Sequence, residues 1–63
     1  MIYEQVIFLG DGWRPIQFYS IKSITLGEAV KRIRENFPGV NGVVLVIYDN
    51  RYKFIGYLGD IVV

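Results

Sequence analysis

Residues 25–39 read TLGEAVKRIRENFPG, the pattern of a single capped, amphipathic helix. Thr25 followed three residues later by Glu28 makes a capping box. The Thr25 hydroxyl accepts from a first-turn amide, and the Glu28 carboxylate reaches back to the Thr25 N–H. Ile24 stands just before the cap, where it can staple onto the helix. Leu26, Ala29, Val30, Ile33 and Phe37 recur at the spacing of one helical face. Glu28, Lys31, Arg32 and Glu35 take the other side, with Glu28 and Arg32 in the favourable i, i+4 order. Pro38-Gly39 ends the helix. Gly27 is the weak position, worth about 1 kcal/mol against Ala in a helix interior, unless it marks a close approach to a strand.

On the C-terminal side of the helix, residues 43–48 (VVLVIY) are apolar at every position, as in a strand covered on both faces. Asp49-Asn50 supplies a turn into a strand over residues 51–58. There Arg51 and Lys53 alternate with Tyr52 and Phe54, so one of the two sets is expected to be buried. Gly59-Asp60 reads as a further turn and residues 61–63 as a candidate short fifth strand. On the N-terminal side, residues 2–9 are rich in β-branched and aromatic side chains, the pattern of a first strand. Gly10-Asp11-Gly12 is a turn signal, since glycine takes positive φ without steric cost. Trp13-Arg14-Pro15 then leads into a second strand over residues 16–22, with Pro15, which lacks an N–H, at its start or on an edge. The expected order is ββαββ: residues 1–63 form a single small α+β domain, a β-hairpin, a helix and a second β-hairpin. One helix packs on one face of a mainly antiparallel sheet.

The composition narrows the chemistry. The chain has 63 residues, 52% of them hydrophobic and 16% aromatic, and it contains neither Cys nor His. Disulfide-stapled mini-proteins, zinc fingers, Cys or His nucleophile systems and haem sites are therefore excluded. A chain this short buries only about 60% of its unfolded surface. Without a disulfide or a metal, dense packing or oligomerisation must make up the difference. The net charge of +1 points to neither a nucleic-acid arm nor an anionic membrane. Residues 1–10 lack a basic n-region and a small-residue cleavage site. The longest apolar run, residues 43–48, is far too short to span a bilayer. A cytoplasmic location is expected.

One helix of about 12 residues is about 18 Å long and covers one face of a four-stranded sheet. Yet residues 43, 45 and 47 are as apolar as 44, 46 and 48, which point the other way. In the first strand Ile2, Val6 and Phe8 oppose Tyr3, Ile7 and Leu9; in the second, Ile16 and Phe18 oppose Tyr19 and Ile21. Either a tightly curled sheet closes over the surplus, or the second face is an exposed patch that buries against another chain. Exposed apolar patches above a few hundred Å² are uncommon on monomers, which favours the second reading. The expected function is a small non-enzymatic protein-interaction or regulatory module that forms homodimers and binds a macromolecular partner. Its means would be the helix-free sheet face or a strand edge. Tyr3, Trp13, Tyr19, Tyr48 and Tyr57 are the expected contact residues, some of them shared with the core, because tyrosine joins a large apolar ring to a polar tip. Size alone would suit a phage, viral or mobile-element regulator or inhibitor. The alternative is RNA or single-stranded DNA binding, with Arg51, Tyr52, Lys53 and Phe54, together with Tyr57, stacking bases and holding phosphates.

No enzymatic centre, metal or cofactor is expected. Ser20, Ser23 and Thr25 have no histidine to act as base, and Thr25 is already explained as a cap. Asp11, Asp49 and Asp60 fall in turns, where aspartate bonds the local backbone. Gly39-Val40-Asn41-Gly42 has the spacing of a backbone clamp but joins a helix to a strand, so it reads as a loop. Lys31, Arg32 and Arg34 complement the helix dipole on a solvated face.

The segment TLGEAVKRIRENFPGV at residues 25–40 resembles the helix of β-grasp domains, including ubiquitin-like sulfur carriers. Gly59-Asp60-Ile61-Val62-Val63 resembles their Gly-Asp turn and last strand. The resemblance, over about a third of the chain, implies a β-grasp-like topology. Those carriers act through a C-terminal Gly-Gly, absent after Val63, so their chemistry is not expected here.

Overall fold

In a computed structural model that describes residues 1–11 and 18–62, and of Asp11 the backbone alone, four strands and one α-helix follow in chain order. They are β1 (Ile2–Asp11), β2 (Phe18–Thr25), α1 (Leu26–Asn36), β3 (Asn41–Tyr48) and β4 (Arg51–Tyr57), with a 3-10 turn, η1, at Leu58–Asp60. The strands form one antiparallel sheet in the order β2-β1-β3-β4, the expected ββαββ α+β domain. β2 and β3 both run opposite to β1, so α1 joins two parallel strands across the one between them.

α1 starts as its capping residue requires. Thr25 is extended, at φ −76° and ψ 156°, and its Oγ1 accepts from the Glu28 amide at 3.3 Å. Ala29, Val30 and Ile33 are fully buried on one face of α1. Phe37 closes the helix, its N–H donating to the Ile33 carbonyl at 2.8 Å. A Cβ built on Gly27 meets nothing within 4 Å, so no close approach explains this glycine. Thr25→Ala is therefore expected to lower stability by about 1 kcal/mol. Gly27→Ala should raise it by up to about 1 kcal/mol, and urea titrations of the two variants will read the opposite signs.

The core lies between α1 and one face of the sheet. Val6 and Phe8 of β1 stand beside Val46 and Val44 of β3, all at most 1% exposed. Ile21 and Tyr19 continue these rows onto β2. Alternation along β2 breaks at Ser23, whose φ of 54° turns Ile24 into the core instead of letting it point away. Leu58 of η1 completes the core. Arg34 ties it there, its Nη2 donating to the carbonyls of Leu58 at 3.2 Å and Ile61 at 3.1 Å. The Gly59 N–H donates to Asn41 Oδ1 at 2.8 Å.

Several expectations need correction. Gly10-Asp11 is not a turn: β1 continues through it, with Gly10 opposite Gly42 and Asp11 opposite Asn41. Asn41-Gly42 accordingly belongs to β3 and not to a loop. The described part of the second strand is Phe18–Thr25, so it runs up to the helix cap and past residue 22. Gly12, Trp13, Arg14, Pro15 and Ile16 lie outside the described residues. Gly59-Asp60 lies within η1, and Ile61 and Val62 are not in a strand, so the likeness to the carriers' last strand is not carried by this fold. Arg34, read as a solvated cation, bridges helix and tail. Asp49-Asn50 does turn the chain, with both residues at positive φ (53° and 61°), as a two-residue hairpin turn of the primed type requires.

Candidate interaction surface on the open sheet face

The strand registers assemble a grid on the face turned away from α1. One row runs Phe18, Leu9, Val43, Tyr57 across β2, β1, β3 and β4. The next runs Ser20, Ile7, Leu45, Phe54, and the third Lys22, Gln5, Ile47, Tyr52. Nine of these twelve positions are apolar or aromatic, and Lys22 is the single charge in the grid.

A β-bulge makes this grid what it is. The β3–β4 register pairs Leu45 with Phe54 but Val44 with Gly56, leaving Ile55 as an extra residue that packs against the core. Gly56 follows at φ 150°, a conformation side chains resist. Without the bulge, Phe54 and Tyr57, three residues apart, would face opposite ways. With it they share the open face, their rings 6.3 Å apart and nearly perpendicular.

The face has relief. Ile7 at its centre is only 6% exposed, and Val43, Leu45 and Ile47 are half-buried. The rings stand up on the outer strands: Phe18 is 64% exposed, Tyr52 73%, Phe54 56% and Tyr57 46%. At about 200 Å² per aromatic side chain, these four present about 500 Å² of largely apolar surface to water. A monomer's largest apolar patch is about that size and is often functional.

Of the five tyrosine and tryptophan positions expected to meet a partner, Tyr57 stands on this face. Tyr3 is half-buried and packs against the core, with its ring 6.1 Å from that of Tyr48. Tyr48 is exposed but falls on the helix side of β3, in line with Val44 and Val46. Tyr19 is half-buried edge-on to Phe37 at 5.3 Å, and its hydroxyl accepts from Asn36 Nδ2 at 3.3 Å. Trp13 lies outside the described residues. Phe18 and Leu45, missed as contact residues, occupy the grid. Their alternation was visible, but which parity faces the helix is set by the cross-strand partner.

The residues considered for nucleic acid are also redistributed. Neither set of β4 side chains is buried: Arg51, Tyr52, Lys53 and Phe54 are all exposed. Tyr52 and Phe54 join the open face, whereas Arg51 and Lys53, opposite Tyr48 and Val46, point to the helix side. The reason is that β4 is an edge strand which α1, lying over β2 and β1, does not reach. Residues 43–48 are likewise covered on one face and not on two.

Away from the grid, an open groove of about 480 Å³ lies between the end of α1 and η1, lined by Arg34, Phe37, Val40, Asn41, Leu58 and Gly59. Its polar groups are spent on the tail: Arg34 and Asn41 already hold the backbone of residues 58–61. Among the described residues, no three acidic side chains converge on a metal-sized space, and no helix is long and apolar enough to cross a membrane.

The chain is thus a small α+β domain with an antiparallel sheet open on one side and edged there by aromatic rings. Comparison with protein-family models, with curated proteins and with solved structures gives no match.

Proposed function

We propose that this chain is a non-enzymatic protein-interaction module that works by burying the open sheet face against a partner protein. The observation that carries the reading is the grid itself: four exposed rings around a half-buried aliphatic centre, with one charge among twelve positions. Apolar centres with aromatic anchors are the parts of protein interfaces that hold most of the binding energy. The face is a better candidate than the β4 edge. Arg51 and Lys53 flank that edge, and cations on an edge strand discourage strand pairing.

A second reading draws on the exposure of all four residues from Arg51 to Phe54: rings on the sheet for bases, cations at its edge for phosphates. It is the weaker of the two, because the cations point away from the rings.

The test is photo-cross-linking in cells, with Phe54→p-benzoylphenylalanine on the face and Lys31→p-benzoylphenylalanine on the exposed side of the helix. Protein adducts at position 54 in clear excess over position 31 are expected, and mass spectrometry identifies them. Adducts to nucleotide would transfer the assignment to the second reading. Equal or absent adducts at the two positions would remove the face from consideration.

A further inference from the structure

We infer that the occupant of the open face is a second copy of this chain, related by a two-fold axis parallel to the strands, so that β2 of each copy lies over β4 of the other. The inference rests on the reading of that face as an interaction surface and adds what covers it and in which register.

Area is the first support. The four rings alone expose about 500 Å² per copy. With the half-buried aliphatics between them, two copies would remove more than about 1,000 Å² from water, the threshold for a specific interface. Arg51 and Lys53 of both copies stay on the far sides, so the contact would desolvate no charge except Lys22.

The distribution of side-chain size is the second support, and it selects the axis. β4 presents Tyr57, Phe54 and Tyr52, whereas β2 presents Phe18, Ser20 and Lys22. A two-fold parallel to the strands keeps each row at its level and reverses the strand order, so β2-β1-β3-β4 lies over β4-β3-β1-β2. Phe54 then sits over the small Ser20, Tyr57 over Phe18, and Ile7 and Leu9 over Leu45 and Val43. Lys22 meets the ring of Tyr52, where a cation gains from the negative face of the π-system. The middle ring of β4 meets the small Ser20 while the other two rings meet Phe18 and Lys22 at the ends, and the sheets can approach to the about 10 Å of an aligned sandwich. A two-fold across the strands instead puts three rings on three rings along β4 and Ser20 on Ser20 along β2. The sheets would splay.

The test joins solution mass to cross-linking. Sedimentation from low micromolar to millimolar concentration is expected to show the 7.3 kDa chain doubling in mass. Phe54→Lys, checked for folding by circular dichroism, should weaken the dimer by about 30-fold or more, the scale of a central anchor. Tyr57→Lys is the second variant, should the first fail to fold. The chain has no cysteine, so Lys22→Cys and Tyr52→Cys give clean single sites. Across the proposed interface they lie about 10 Å apart, whereas like sites on the two copies lie about 17 Å apart. A short bis-maleimide should therefore join the two variants when mixed and leave each alone largely uncoupled. A monomer at every concentration overturns the inference. So does a dimer that survives both lysine variants, or one that cross-links as well through Tyr52→Cys alone. The underlying reading of the face falls separately, when the photoreactive group at position 54 captures protein no better than the one at position 31.

Discussion

Phe8→Ala is expected to remove most of the stability of the fold. Phe8 is fully buried, stands between Tyr19 of β2 and Val44 of β3, and packs its ring 5.7 Å from that of Phe37. Removing a buried phenylalanine side chain costs about 3–5 kcal/mol, the transfer of the ring plus the cavity it leaves. A domain of 63 residues has about 3–9 kcal/mol in total, at roughly 0.05–0.15 kcal/mol per residue. One substitution thus consumes most of the margin, because the core is only one helix deep. Phe54→Ala removes the same ring from the other face and, at concentrations too low for association, should shift stability by less than about 1 kcal/mol, as at other exposed positions. Urea titration followed by circular dichroism separates the two. Similar midpoints would contradict the assignment of faces.

Gly42→Ala is the second large effect, and its cause is steric. Gly42 faces Gly10 across the two inner strands, one pair from the end of the β1–β3 ladder. A Cβ there would press on the Leu9 carbonyl oxygen, 2.8 Å from the Gly10 Cα and 2.9 Å from the Leu9 carbonyl carbon. All three are backbone atoms, so no side chain can swing aside and the two strands must part. Forced overpacking of this kind typically costs about 1–3 kcal/mol and occasionally more, a large share of the margin. Thermal melting should show Gly42→Ala far below the parent and Gly27→Ala at or above it, since only one of the two glycines has a neighbour in the way. Equal melting temperatures would mean that β1 and β3 do not approach as described.

These two sites frame the economy of the molecule. Its limited core sits on one side of β1 and β3, and the close contact at Gly10 and Gly42 lets those strands run together beyond the core. Among the described residues the tail is held by Arg34 and Asn41, and Ile61 and Val62 are in no strand. What remains uncovered is the face proposed to meet a partner.

How much of this was legible in the residues depends on the range of the forces involved. The capping residue, the apolar stripe of α1 and the Asp49-Asn50 turn are decided by neighbours within four positions, and each was readable from the sequence. The surplus of apolar side chains on both parities of the strands was readable too, and with it the existence of an uncovered face. The residues that form that face were not. Ser23 at positive φ turns Ile24 inward, Gly10 is held in the sheet by Gly42 rather than released into a turn, and the bulge at Ile55 brings Tyr57 beside Phe54. Each depends on a cross-strand partner remote in the chain, and a one-residue change of register reverses every side chain beyond it. Local pattern was enough for the elements and for the excess of apolar surface. Which rings stand on the open face was settled by strand pairing across the sheet, because face is a property of pairing.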